Sequence, residues 1–87
     1  MDQVYLLVDS SPFDGDDVLG VYSNRDHAMA EAKDRAIKRQ GNATYRWDIT
    51  ESGLELCFYR RIGKTHMFRW LFSGYVVRQM EVQHGTR

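Results

Sequence analysis

Three features that would identify a class of protein are missing from this sequence: a pair of cysteines, an excess of one charge and a long apolar run. Because Cys57 is the single cysteine, no internal disulfide can form, which excludes the disulfide-stabilised scaffolds of small secreted proteins. The formal net charge is zero, which argues against the strongly basic balance of typical nucleic-acid-binding domains.

Signals for membrane insertion or export are also missing. No apolar run approaches the roughly 18 residues that a membrane-spanning helix needs. The first residues, Met1 to Val4, lack the basic region and the apolar stretch of a secretory signal. We therefore expect a cytoplasmic protein with no membrane partner.

The composition that remains is that of a small folded domain. With 87 residues, the chain has room for one hydrophobic core. Its 43% apolar and 28% charged residues are ordinary for a globular protein and argue against disorder. We predict a single α+β domain over residues 1–83 and a flexible tail over residues 84–87.

The charges are unevenly distributed along the chain. Residues 1–34 hold eight acidic and two basic residues, whereas residues 35–87 hold ten basic and four acidic residues. This asymmetry has three interpretations: separate acidic and basic patches, facing charges that neutralise each other in the fold, or head-to-tail self-association.

The strongest secondary-structure signal is a helix from Asn24 to Gln40. Ser23 is the predicted N-cap, because Asp26 follows three residues later, and Gly41 supplies the stop. The apolar stripe of this helix is narrow and rich in alanine, so we expect the helix to lie close to a sheet. The residues of the stripe are Ala28, Met29, Ala32, Ala36 and Ile37.

The rest of the chain is predicted as β-structure, over residues 4–8, 18–22, 44–50, 54–62, 65–72 and 75–82. A turn-rich loop is expected from Asp9 to Asp17, and Ser73-Gly74 should separate the last two strands. In the strand after the helix, strict alternation places Tyr45, Trp47 and Ile49 on one face. The predicted fold is one helix packed on a mainly antiparallel sheet, in the order β-β-α-β-β-β-β.

No segment has the residue pattern of a catalytic or metal site. Gly63-Lys64-Thr65 resembles the end of a phosphate-binding loop, but the earlier glycine is missing and a strand follows instead of a helix. Residues 14–17 hold three aspartates without the spacing of a calcium loop, so we interpret them as solvated acids of a turn. The three histidines have no ligand spacing, and nothing near Cys57 would activate a thiol. We expect no enzymatic activity, no metal and no cofactor.

Aromatic and basic residues alternate in three segments, over residues 45–47, 58–61 and 66–70. On adjacent strands they could contact another protein, because aromatic residues and arginine are enriched in interface hot spots. They could instead stack the bases and bind the phosphates of a single-stranded nucleic acid. In a third interpretation, the aromatic residues form a core face and the arginines lie in solvent on the opposite face. A homodimer that joins two sheet faces would also cover the aromatic rings.

Two groups of residues are the candidate contacts with a partner. The first group is basic and aromatic and consists of Arg60, Arg61, Arg69 and Trp70. The second is the acidic loop and consists of Asp14, Asp16 and Asp17.

Residues 16–28, Asp-Asp-Val-Leu-Gly-Val-Tyr-Ser-Asn-Arg-Asp-His-Ala, resemble a strand–cap–helix signature of small uncharacterised bacterial and phage proteins. In that group, a strand like residues 4–8 precedes the signature and a strand like residues 75–82 closes the domain. The resemblance covers about half the chain and implies a fold, not a set of catalytic residues.

Phage proteins of this size include anti-CRISPR and other anti-defence inhibitors, which act by stoichiometric binding. By that analogy, we expect a non-enzymatic module that binds a protein, such as an inhibitor of a host defence protein in the host cytoplasm. The alternative function is single-stranded nucleic-acid binding on an aromatic and arginine-rich sheet face.

Overall fold

A computed structural model describes residues 3–11, 15–64 and 66–81. Five strands and one helix follow one another along the chain. They are β1 (Gln3–Ser11), β2 (Gly15–Tyr22), α1 (Arg25–Gln40), β3 (Thr44–Thr50), β4 (Gly53–Arg61) and β5 (Phe68–Glu81). The tail predicted over residues 84–87 lies outside the described residues.

The strands form one sheet in the order β2-β1-β5-β4-β3, and every neighbouring pair is antiparallel. The N-terminal hairpin and the C-terminal half of the chain are joined by the pairing of β1 with β5, which places the long last strand in the centre. Strands β2 and β3 are the two edges. The predicted fold class, one helix packed on an antiparallel sheet, is confirmed.

The last two predicted strands are a single strand, β5, of 14 residues. Ser73-Gly74 does not end it, because the chain passes this point with a local irregularity and continues. Gly74 adopts a φ of +97°, which favours glycine, and the backbone N–H of Tyr75 donates to Ser73 Oγ. The pairing of β5 with β4 shifts its register between Glu55 and Cys57, opposite this point.

The helix begins one residue later than predicted. Asn24 is the N-cap, and its side-chain oxygen accepts hydrogen bonds from the backbone N–H groups of Asp26 and His27. The prediction of Ser23 as the N-cap is therefore wrong. At the other end, Gly41 has a φ of +83° and its N–H donates to the carbonyl of Ile37, which ends the helix as expected.

The core lies between the helix and the central strands. Ala28, Ala32 and Ala36 are fully buried, so the helix approaches the sheet closely, and it packs on β5, β1 and β2. The sheet residues of this core cluster are Leu7, Leu56, Tyr75 and Val77. We call the opposite face of the sheet the free face.

Two residues of the predicted apolar faces are exposed. Ile37 is exposed at the margin of the helix stripe. Ile49 shares a face with Tyr45 and Trp47, but it lies on the edge strand β3, away from the strands that the helix covers, and its relative exposure is 87%. Alternation predicted the face of Ile49 correctly but could not predict how far the helix extends.

A candidate binding surface on the free face

Three aromatic side chains lie together on the free face at the end of the β4–β5 hairpin. Phe58 is buried and contacts Tyr45, which packs on the helix-side core. Because side chains alternate along a strand, the next residue, Tyr59, points to the free face. In the register of β4 with β5, Tyr59 lies opposite Trp70, and Arg61 lies opposite Phe68.

The three rings contact one another at the surface. The ring centroids of Tyr59 and Phe68 are 5.2 Å apart with an interplanar angle of 21°, and those of Tyr59 and Trp70 are 5.1 Å apart. Tyr59 and Phe68 are 41% and 51% exposed, and Trp70 is half-buried. We refer to Tyr59, Phe68 and Trp70 as the aromatic patch.

An arginine from the edge strand adds a charged group to the aromatic patch. Arg46 extends from β3 across β4, and its guanidinium carbon lies 4.2 Å from the ring centroid of Trp70. Asp48, two residues along the same strand, holds Arg46 Nε at 3.0 Å. The ion pair and the ring together restrict the guanidinium, so its stacking on Trp70 requires little further ordering.

The predicted basic contact residues lie at one end of the hairpin but on two faces. Arg61 and Trp70 lie on the free face. Arg60 and Arg69 are cross-strand partners on the helix side, where the Arg60 guanidinium carbon is 5.9 Å from the ring centroid of Phe58. Like charges directly opposite each other are unfavourable in a sheet, so this pair costs stability. No acidic residue occurs between Glu55 and Glu81 to offset it in sequence.

The prediction of a loop from Asp9 to Asp17 is wrong, because β1 extends to Ser11 and β2 begins at Gly15. Asp9 belongs to β1, and Asp16 and Asp17 belong to β2, where they pair in register with Ser10 and Asp9. Asp14 lies outside the described residues. The Asp16 carboxylate accepts a hydrogen bond from Arg78 Nη2 at 2.9 Å, and hydrogen bonds from Ser10 and Arg78 lower the pKa of Asp16. Its charge is therefore already engaged within the domain.

Sequence reasoning did not select Arg46, Asp48, Tyr59 or Phe68 as site residues. Alternation in the strand of residues 44–50 already placed Arg46 and Asp48 on the same face. The sequence does not reveal the register of β3, β4 and β5, and the stacking of Arg46 on Trp70 depends on that register because it spans all three strands. The signal available in the sequence was the alternation of aromatic and basic residues, which included Arg46.

Two properties of the described residues concern reactivity, namely the protonation of the Cys57 thiol and the spacing of the side chains that could bind a metal. Burial, and then the Asp48 carboxylate beside it, raise the pKa of Cys57 to about 11, so the thiol is protonated at neutral pH. Over residues 3–11, 15–64 and 66–81, no three His, Cys, Asp or Glu side chains lie close enough to hold a metal ion. Within the same ranges, no helix has the length and apolar character required to cross a membrane.

Comparisons with known proteins return no relative. No protein-family model matches the chain, and neither the curated proteins nor the solved structures give a significant match.

Proposed function

We propose that this domain is a non-enzymatic protein-binding module whose contact surface is the aromatic patch together with Arg46 and Arg61. One observation carries the proposal: Tyr59, Phe68 and Trp70 contact one another on the free face instead of packing beneath the helix. Exposed aromatic rings beside arginine are the side chains most enriched in interface hot spots.

The charges of the free face favour a protein over a nucleic acid. Two of its arginines are already paired, Arg46 with Asp48 and Arg78 with Asp16. Arg61 forms no ion pair with any residue that the structure describes. A surface that follows a phosphate backbone needs a row of unpaired cations, and this face offers too few.

The chemistry of the surface indicates the chemistry of the partner. The rings would occupy an apolar centre, while Arg61 and the acid-free end of the β4–β5 hairpin would face acidic groups at the rim. The partner is then a protein with an apolar depression bordered by Asp or Glu. The narrower prediction of an anti-CRISPR-like inhibitor stays a prediction.

Site-specific photo-crosslinking tests the surface directly. A photoreactive phenylalanine analogue replaces Phe68 in one variant and Val21 in a control. Val21 is also exposed, at 62%, but it lies on the distant edge strand β2. We expect a partner from bacterial lysate to crosslink at position 68 and not at position 21, and mass spectrometry identifies it. Equal crosslinking at both positions would contradict the proposed surface.

Affinity measurements with the identified partner complete the test. Phe68→Ala and Arg61→Glu should each weaken binding by about tenfold or more, while Val21→Ala leaves binding unchanged. Single-stranded DNA and RNA oligonucleotides are titrated in parallel at low and moderate salt. Tight, salt-sensitive oligonucleotide binding that Phe68→Ala removes would replace the protein-binding function with the nucleic-acid alternative.

A further inference from the structure

The edge strand β3 has a residue pattern that is complementary to itself when the strand is read in reverse. Its seven residues, Thr44 to Thr50, read Thr-Tyr-Arg-Trp-Asp-Ile-Thr. Around Trp47 as the midpoint, threonine mirrors threonine, an aromatic residue mirrors a β-branched one, and a cation mirrors an anion. An antiparallel pairing of this strand with a second copy of itself would place each of these combinations directly opposite.

The resulting cross-strand pairs are all favourable. Thr44 of one copy would face Thr50 of the other, and the two Trp47 residues would meet at the two-fold axis. Arg46, which pairs with Asp48 of its own strand at 3.0 Å, would also face Asp48 of the other copy, so that two arginines and two aspartates alternate across the contact. Thr–Thr, opposite-charge and aromatic–β-branched pairs are the combinations that stabilise antiparallel sheets. A shift of register by one residue would bring the side chains of opposite faces together, so the pattern also selects the register.

The position of β3 makes this pairing accessible. It is the last strand of the sheet, next to β4, and no other strand among residues 3–11, 15–64 and 66–81 pairs with its outer side. It also lacks the proline and lysine residues with which edge strands commonly block association.

Ile49 supplies an independent observation at the same edge. Its relative exposure of 87% is the highest among the large apolar side chains that the structure describes. In the mirrored register, Ile49 faces Tyr45 of the other copy, and Tyr45 packs at the margin of the helix-side core. The pairing would therefore cover the side chain that the helix leaves exposed.

We propose that two copies of this chain associate through antiparallel pairing of β3 with β3, which forms one continuous sheet across a two-fold axis at Trp47. The contact is isologous, as in most homodimers. It differs from a face-to-face dimer because both free faces stay open on the same side of the extended sheet. The partner is a second copy because β3 itself carries, in reverse order, the residues that its own side chains complement: Asp48 for Arg46 and Ile49 for Tyr45.

Reciprocal charge variants test the proposal. In the proposed homodimer, position 46 of each copy faces position 48 of the other. Arg46→Asp therefore places aspartate opposite aspartate at both of these pairs, and Asp48→Arg places arginine opposite arginine. For each variant alone, the dissociation constant of the dimer should be higher than that of the unmodified chain by about tenfold or more. Mixed in equal amounts, the two variants should form a heterodimer, because every charged pair is complementary again. Sedimentation velocity over a concentration series measures all four samples: the unmodified chain, each variant and the mixture.

Three controls separate association from a general effect of charge, from folding and from the proposed function. Asp34→Arg makes the same charge change as Asp48→Arg, but on the outer side of the helix, and should dimerise normally. Circular dichroism of each variant confirms that the monomer is folded. The measurement uses the pure chain, and Phe68→Ala should leave dimerisation intact, so the outcome is independent of the aromatic patch. An unmodified chain that stays monomeric into the millimolar range, or a mixture that fails to associate, would overturn the proposal.

Discussion

At the scale of single residues, Cys57 shows how cross-strand neighbours determine the chemistry of a side chain. It lies opposite Arg46 in the register of β3 with β4, yet its thiol donates to Asp48 Oδ2, 3.5 Å away. The sequence indicated an inert thiol because no activating group is close along the chain. The structure adds a carboxylate from the neighbouring strand, which disfavours the thiolate further.

The titration of this thiol is a direct prediction. Burial and the Asp48 hydrogen bond raise the pKa of Cys57 from 9.0 to about 11, so the thiolate should form well above pH 9 in the folded chain. Because the folded pKa is higher than the unfolded one, this group stabilises the fold below about pH 9 and the stabilisation is lost as the pH rises towards 11.

The variant Asp48→Asn isolates the contribution of the carboxylate. It removes the negative charge but keeps a side chain of similar size, so the pKa of Cys57 should fall towards its ordinary value without reaching it, since burial persists. The ¹³Cβ chemical shift of Cys57, followed over pH in the folded and the urea-unfolded chain, gives both values. A folded thiol that titrates together with the unfolded one would refute this explanation.

At the scale of secondary-structure elements, the capping of α1 separates what the sequence could predict from what it could not. Two adjacent residues, Ser23 and Asn24, are both good N-caps and precede the same run of helix formers. The extended backbone of Asn24, with a φ of −126° and a ψ of 127°, directs its side chain to the free N–H groups. The existence of the helix was therefore predictable, whereas its first residue depended on backbone geometry.

Replacing each of these residues in turn tests the assignment. Asn24→Ala removes the acceptor for the N–H groups of Asp26 and His27 and should lower the free energy of unfolding by about 1 kcal/mol. Ser23→Ala should change it by much less, because Ser23 precedes the cap. Urea unfolding followed by circular dichroism measures both values. A larger loss in the Ser23 variant would reverse the assignment.

Strand β5 shows a second limit of local reasoning. Ser73-Gly74 is a sound turn signal, but β4 pairs with the chain on both sides of it, and β1 pairs with the residues that follow it. These pairings continue the strand through the irregularity. The same long strand aligns Phe68 and Trp70 with β4. The residues of the aromatic patch could be suspected from the sequence, but their contacts follow from this register.

At the scale of the whole molecule, the charge asymmetry of the sequence has a partial structural explanation. Two ion pairs link the acidic N-terminal strands to the basic remainder: Asp9 with Arg39 at 3.1 Å, and Asp16 with Arg78 at 2.9 Å. Facing charges were one of three interpretations of the sequence. Local patterns could not select among them, because the paired residues are 30 and 62 positions apart.

The pair of Asp16 and Arg78 gives a prediction for the whole domain as the pH falls. Hydrogen bonds from Ser10 and Arg78 hold the pKa of Asp16 below its ordinary value of 3.8. A carboxyl whose pKa is lower in the folded state stabilises the fold above the unfolded pKa, and the stabilisation is lost as the pH falls through the folded pKa. Asp16→Asn should therefore lower the Tm slightly at neutral pH, because the pair is exposed to solvent. The difference from the unmodified chain should shrink below pH 3.8 and should also diminish in high salt at neutral pH. Thermal unfolding of both chains over this pH range, followed by circular dichroism, measures this difference.

The control Asp34→Asn breaks the pair of Asp34 with Lys38 within one helix and should have a smaller effect, because that pair joins residues only four positions apart. A difference between Asp16→Asn and the unmodified chain that stays constant from neutral to acidic pH would show that the carboxylate charge does not contribute.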